Sequence, residues 1–180
     1  MTSEVAPRGP AAPDIPAILS TLSRRHVAAV VIGGVAVAHH GYVRATKDVD
    51  IVPQPDAENL SRLWEALVEL EARPLETNDF RVEELPVPFD RDALLQLGNW
   101  AVETRHGRLD ILQYVSGKLE TVADYEALAR DADEARFAFG TVLFASYRDL
   151  VDFKNLAGRD QDLIDIRALR EARGETDAVG

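Results

Sequence analysis

The chain has 180 residues, 46% of them hydrophobic, with a formal net charge of -11 and no cysteine. That length suits one domain with a self-sufficient core, and nothing between the ends has the composition of a disordered chain. The acidic balance argues against a surface that attracts nucleic acid or anionic membrane unless a local basic patch exists, and the missing cysteine excludes disulfides, thiolate nucleophiles and thiol-rich zinc sites.

Residues 1–13 carry Pro7, Pro10 and Pro13 among alanines and lack the apolar segment of a secretory signal, so they read as a flexible tail. Ile15, Ile18, Leu19 and Leu22 recur at helical spacing and predict a first helix ending near Arg24-Arg25. The β-branched run Ala28 to Ile32 predicts a buried strand. Gly33-Gly34 then turns the chain into a short helix, Val35 to His40, closed by Gly41. The whole apolar stretch 27–38 is too short to span a bilayer, and the expectation is a cytoplasmic protein without membrane contact. Val49-Ile51-Val52, ending at Pro53, predicts a second strand. Leu60, Leu63, Trp64, Leu67 and Val68 mark an amphipathic helix.

The stretch from Thr77 to Pro88 has two prolines and no period and reads as loop. Trp100 to Glu103 and Leu109 to Leu112 predict a hairpin turning at His106-Gly107. A helix over Val122 to Ala132 follows, then a hairpin of Arg136 to Phe139 and Val142 to Ala145 turning at Gly140. Ser146 with Asp149 is a capping-box start for a helix that stops near Gly158. A last helix places Leu163, Ile166 and Leu169 on one face, and residues 174–180 read as a second frayed tail. Interleaved strands, helices and hairpins suit an α+β fold, a mixed sheet flanked by helices. The expected division is a core over 14–145 with C-terminal helices over 146–173 packing on it. Trp64 and Trp100 read as core.

Chemistry concentrates in Gly33-Gly34, Gly41, Arg44, Thr46, Asp48 and Asp50. Asp48 and Asp50 open a strand two residues apart, so both side chains leave the same face with backbones roughly 6.5–7 Å apart. Carboxylates that close repel unless a cation sits between them, and magnesium favours such oxygen ligands together with substrate phosphates. Asp110 sits in the apolar strand Leu109 to Leu112, where an unpaired charge is costly. If that strand neighbours the first, three acids converge, a set able to hold two metals about 3.5–4 Å apart. Gly33-Gly34, between strand and helix, offers backbone N–H groups to a phosphate. Plainer readings stand beside these: an Asp-x-Asp in a solvated turn, a simple tight turn at the glycines, and Asp110 paired with Arg108 or Arg105. His39-His40 contacts phosphate or metal, or merely sits at a helix C-terminus. Arg44 and Lys47 grip phosphate or pair with Asp48 or Asp50. Arg159, Asp160, Asp162 and Asp165 serve the site or form a salt-bridged helix face.

The Gly-Gly, Arg-x-Thr and Asp-x-Asp arrangement, from Gly33-Gly34-x-Ala36 through Gly41, Arg44, Thr46, Asp48 and Asp50, resembles the signature of the nucleotidyltransferase superfamily, the polymerase-beta-like fold. It is similar to small antibiotic nucleotidyltransferases and to abortive-infection toxin nucleotidyltransferases. The stretch Asp149 to Leu169, with Lys154, Arg159, Asp162 and Asp165, most resembles the toxin type. The resemblance covers roughly residues 28–169.

It implies an enzyme that moves an NMP from an NTP to an acceptor hydroxyl with Mg2+ or Mn2+ held by Asp48, Asp50 and Asp110. Asp110 is then positioned as the base. Gly33, Gly34, Arg44, Thr46 and Lys154 form the donor-binding set, the glycines touching the triphosphate and Lys154 neutralising it. The acceptor it implies is RNA, protein or a small molecule, with a cognate antitoxin as a partner if the chain is of the toxin type. The alternatives are an antibiotic-modifying transferase, whose cationic substrate suits an acidic protein, and a non-catalytic binding or antitoxin-like module. One departure bears on the last: many family members have Gly-Ser at the turn, where this chain has Gly33-Gly34-Val35.

Overall fold

The computed structural model describes residues 12–76, 87–96, 98–115, 121–122 and 125–175. Most of the expected tails at 1–13 and 174–180 and of the expected loop at 77–88, namely residues 1–11, 176–180 and 77–86, lies outside these residues.

The first helix, α1 (Ile15–Arg24), starts where the Asp14 side chain accepts from the Ala17 N–H, and it buries Ile18, Leu19 and Leu22. Strand β1 (Ala29–Ile32) and helix α2 (Gly33–His39) follow, the helix beginning at the first glycine rather than beyond the pair. Strand β2 (Asp48–Pro53) alternates as its sequence requires. Val49 and Ile51 are fully buried on one face, while Asp48 and Asp50 leave the other. Helix α3 (Ala57–Glu69), capped by Asp56, seats Leu60, Leu63 and Leu67 in the core but leaves Val68 exposed.

Strands β3 (Arg73–Pro74), β4 (Trp100–Thr104) and β5 (Gly107–Ile111) and the short helix α4 (Arg91–Leu95) come next. The hairpin β4–β5 forms as its sequence predicts but turns at Arg105-His106, one residue before the expected His106-Gly107, because Gly107 already pairs with Thr104. Phe89 bridges Trp64 and Trp100, with ring centroids 5.3 and 5.2 Å away, and both tryptophans pack against the core. A small pair, β6 (Tyr114–Val115) and β7 (Thr121–Val122), precedes helix α5 (Tyr125–Asp131). Val122 therefore belongs to a strand, and the helix is shorter than its pattern suggests. The hairpin β8 (Asp133–Phe137) and β9 (Gly140–Phe144) leads into α6 (Tyr147–Ala157) and α7 (Asp160–Ala172). Ser146 caps α6 by accepting from the Asp149 N–H, and Gly158 ends it.

Seven strands form one mixed sheet in the order β3-β4-β5-β2-β1-β9-β8. The α+β class expected from the sequence is thus the observed one. β2 sits at the centre, antiparallel to β1 and parallel to β5. The register sets Asp50 opposite Asp110 and Ile32 opposite Asp50, which fixes the site described below.

Helix α6 packs against α2, and α7 packs against α6. The buried face of α7 differs from the expectation. Ile166 and Leu169 are buried, but Leu163 is 56% exposed, and Asp162 and Asp165 occupy the inward positions beside them. Two acids displace a leucine from the interior because cations wait there to receive them, and hydrophobic periodicity alone does not register that demand.

Candidate functional site

A cleft of about 960 Å³ opens above the ends of β1, β2 and β5. Gly33, Gly34, Asp48, Asp50 and Asp110 line one side of it, with Arg44, Thr46, Lys47, Lys154 and Arg159 also on its walls. All eight residues singled out as the candidate site therefore reach one cavity.

The three acids share a face for a simple reason. Asp48 and Asp50 are two apart on β2, and registered residues on parallel neighbours point the same way. Asp50 and Asp110 are such a pair, their backbones about 4.8 Å apart. Burial pushes the Asp50 carboxyl up from its ordinary 3.8 to about 7, and the negative charges of Asp48 and Asp110 add to the shift. Lys154 and Arg159 oppose it from across the cleft without cancelling it. Asp110 is raised as well, by burial and then by Asp48, with Arg108 pulling the other way. Among the described residues Asp110 forms no ion pair with Arg108 or Arg105, and its Oδ1 is buried without a hydrogen-bond partner.

The donor set fits a divalent cation in kind: hard carboxylate oxygens, one of them buried and unpartnered, at a place where negative charge is in excess. Among the described residues no three such groups are drawn together tightly enough to hold one ion in this arrangement.

The glycine pair explains itself sterically. Gly33 holds φ +62°, and a Cβ there would collide with the Asp50 carboxylate. A Cβ on Gly34 would lie 2.6 Å from Thr46 Oγ1. The turn is therefore pressed against both the acids and the Arg44–Thr46 loop.

The cations are held by acids that sequence reasoning left undecided. Arg44 donates from Nε and Nη2 to the two oxygens of Asp165, at 2.7 and 2.8 Å. Lys154 donates to Asp165 at 2.5 Å and to Asp162 at 3.1 Å. Arg159 donates from Nε and from its backbone N–H to Asp162, at 2.8 and 3.2 Å. Arg44 is thus not paired with Asp48 or Asp50. Within the 159–165 segment Asp162 and Asp165 are buried and clamp the cleft's cations, while Arg159 and Asp160 keep their place on the solvated face. The available signal was two acids three apart at the inward positions of a helix that also carries Ile166 and Leu169. Burial pushes the Asp165 carboxyl up, but hydrogen bonds from Arg44, Lys154 and Gln161 outweigh it and hold the group at about 2.

The histidines stand apart. His39 stacks on Phe144 at 4.3 Å, and a ring nitrogen of His40 bonds to the Ala145 carbonyl oxygen at 2.8 Å, so both serve packing. A buried Asn59, not foreseen from the sequence, accepts from the Ala28 N–H and donates to the carbonyls of Ala28 and Gln54, tying α3 to the β1–β2 end. No helix among the described residues is long and apolar enough to cross a membrane.

No family model and no curated protein matches the chain. Solved structures do. The lincosamide antibiotic adenylyltransferase LnuA, with lincomycin bound, aligns at TM-score 0.57 and 17% identity over 88% of this chain and 95% of that one. The antibiotic-resistance factor ANT(2'')-Ia aligns at TM-score 0.54 and 18% identity, over 89% of this chain and 82% of its own. A crystal structure of the same factor holds adenylyl-2"-tobramycin. A nucleotidyltransferase-like protein from Paracoccidioides brasiliensis aligns at TM-score 0.50 and 14% identity, over 86% of this chain and 74% of its own.

Proposed function

We propose that this chain, which has the nucleotidyltransferase fold of those neighbours, transfers an NMP from an NTP to an acceptor hydroxyl with release of pyrophosphate. The observation that carries the reading is the trio Asp48, Asp50 and Asp110 on one face of two adjacent strands, in a cleft that also presents Arg44, Lys154 and Arg159.

The acids would hold divalent metal, Mg2+ or Mn2+, which when bound supplies positive charge to the phosphates and makes the acceptor hydroxyl easier to ionise. Arg44 and Lys154 orient the triphosphate, and the backbone at Gly33 and Gly34 lets it approach. The acceptor oxygen attacks the α-phosphorus in line, forming an O–P bond while the bond to the bridging β-oxygen breaks, and the charge on the departing pyrophosphate is met by the same cations. Asp110, registered beside Asp50 in the cleft, is the acid placed to take the acceptor proton. A cytoplasmic location, where NTP is supplied, suits this reading.

Two acceptor classes have support. The solved neighbours named for lincosamide adenylylation and for tobramycin favour a drug-like small molecule, and a net charge of -11 suits a cationic one. The motif likeness over Asp149 to Leu169 favours a toxin-type enzyme acting on RNA or protein and countered by an antitoxin. Expression separates them: raised drug tolerance marks the first, and growth arrest relieved by a neighbouring gene's product marks the second. The test of the reaction itself is titration of the four Mg-NTPs into wild type and Asp50→Asn, followed by pyrophosphate release with candidate acceptors. Binding by wild type that is lost in Asp50→Asn supports transfer. No nucleotide binding by folded wild type moves the chain to the binding-module class.

A further inference from the structure

Asp165 is 0% exposed and stands behind the cleft wall on α7. Its two oxygens take four donors: Arg44 Nε and Gln161 Nε2 on one, Arg44 Nη2 and Lys154 Nζ on the other. Every lone-pair site of the carboxylate is therefore used. Arg44 comes from the loop before β2 and Lys154 from α6, so one buried anion joins two cations brought from distant parts of the chain. The held guanidinium abuts the glycine turn, because a Cβ on Gly34 would lie 3.5 Å from Arg44 Nη1. Lys154 spends two of its three donors on acids, leaving one for a ligand.

We propose that Asp165 is the positioning residue for the donor triphosphate, fixing Arg44 and Lys154 beside the glycine turn before the nucleotide arrives. The proposal rests on the nucleotidyl-transfer reading above. Long flexible cations lose rotamer freedom when they grip phosphate, and a fork held on both oxygens of a buried carboxylate has already lost it. Ion pairs of this kind add little net stability over apolar packing, so stability alone is a weak account of why so many charges are gathered here.

The sign of one substitution separates positioning from simple electrostatics. Asp165→Asn removes a negative charge from the rear of the cleft, and charge counting then calls for tighter binding of an anion. Positioning calls for the opposite. The amide replaces one accepting oxygen with a donor that faces Arg44 or Lys154, so the fork comes loose. The probe is inorganic tripolyphosphate with magnesium, titrated calorimetrically, since it carries the phosphates without a base. Asp165→Asn is expected to bind it on the order of ten- to a hundredfold more weakly than wild type, while Mn2+ affinity, carried by Asp48, Asp50 and Asp110, stays within a few-fold. Equal or tighter tripolyphosphate binding overturns the proposal, and parallel loss of Mn2+ binding assigns Asp165 a merely structural role. If Asp165→Asn does not fold, Arg44→Lys decides. It keeps the charge but cannot span both oxygens, so weaker binding of the probe is expected and unchanged binding refutes positioning. Failure of wild type to bind either tripolyphosphate or any Mg-NTP removes the functional reading itself, a result distinct from wild-type binding that the variants leave untouched.

Discussion

Neutralising Asp50 should stabilise the metal-free protein at neutral pH, an unusual expectation for a residue assigned to an active centre. The Asp50 carboxyl lies at about 7 in the folded protein against an ordinary 3.8. Between those values the native state holds a proton that the unfolded state has released. Asp50 therefore contributes stability that is fully present below about pH 4 and is lost as pH rises through 7. A shift of about three units corresponds to at most about 4 kcal/mol. The cleft is open to water, so roughly half of that, about 2 kcal/mol, is the expected gain of Asp50→Asn at pH 8. For a domain of this size that is a rise in Tm of roughly 4–8 °C. The assay is urea and thermal unfolding of both proteins in chelator at pH 5, 6, 7 and 8. Asp165, held at about 2, loses its contribution only as pH falls below about 4, and the histidines are common to both proteins, so the difference isolates the acid trio. The gap should widen from pH 5 to 7 and level off toward pH 8, and added Mg2+ or Mn2+ should then stabilise wild type but not the variant. A wild type equal to or more stable than Asp50→Asn at pH 8 in chelator, or a gap that shrinks with pH, refutes the reasoning.

Gly33→Ala should lose at least about 2 kcal/mol in urea unfolding, because residue 33 holds φ +62° and the new methyl meets the Asp50 carboxylate. Asn59→Ala leaves backbone groups of Ala28 and Gln54 without their side-chain partner and should cost about 3 kcal/mol, seen as a fall in Tm of roughly 6–12 °C. On α7, Leu169→Ala should cost about 2–5 kcal/mol and Leu163→Ala under about 0.5, whereas the face read from periodicity alone would make the two alike.

What the sequence made legible was local. The step of two between Asp48 and Asp50, beside the apolar Val49 and Ile51, was enough to put both acids on one face of β2. Ser146, Asp149 and Gly158 marked both ends of α6 by capping chemistry that needs no tertiary contact. What stayed hidden depended on pairing across the chain. Asp110 could be assigned to a strand, but its place beside Asp50 comes from a parallel register with no local signature. The two-residue strand β3 exists only because β4 offers it partners. Asp162 and Asp165 were ambiguous for the same reason, since a charged residue on a helix reads as solvated until the cation that buries it is known.

The glycine pair also bears on how the turn differs from the nucleotidyltransferase signature it resembles, in which Gly-Ser is common. A Cβ on residue 34 would lie 2.6 Å from Thr46 Oγ1 and 3.1 Å from Thr46 Cβ. The Thr46 side chain therefore already fills the space into which a serine at position 34 would project, and its hydroxyl, bonded to the Asp48 carbonyl oxygen at 3.2 Å, lines the cleft. On the nucleotidyl-transfer reading proposed above, Gly-Gly is what leaves room for a hydroxyl to arrive from the next loop. Thr46→Val keeps the shape and removes the hydroxyl, so Mg-NTP affinity should fall by about 1 kcal/mol, roughly fivefold, while Thr46→Ser stays near wild type. If Thr46→Val binds Mg-NTP as wild type does, the hydroxyl is a structural tie to Asp48 alone, and the turn's backbone carries the phosphate without it.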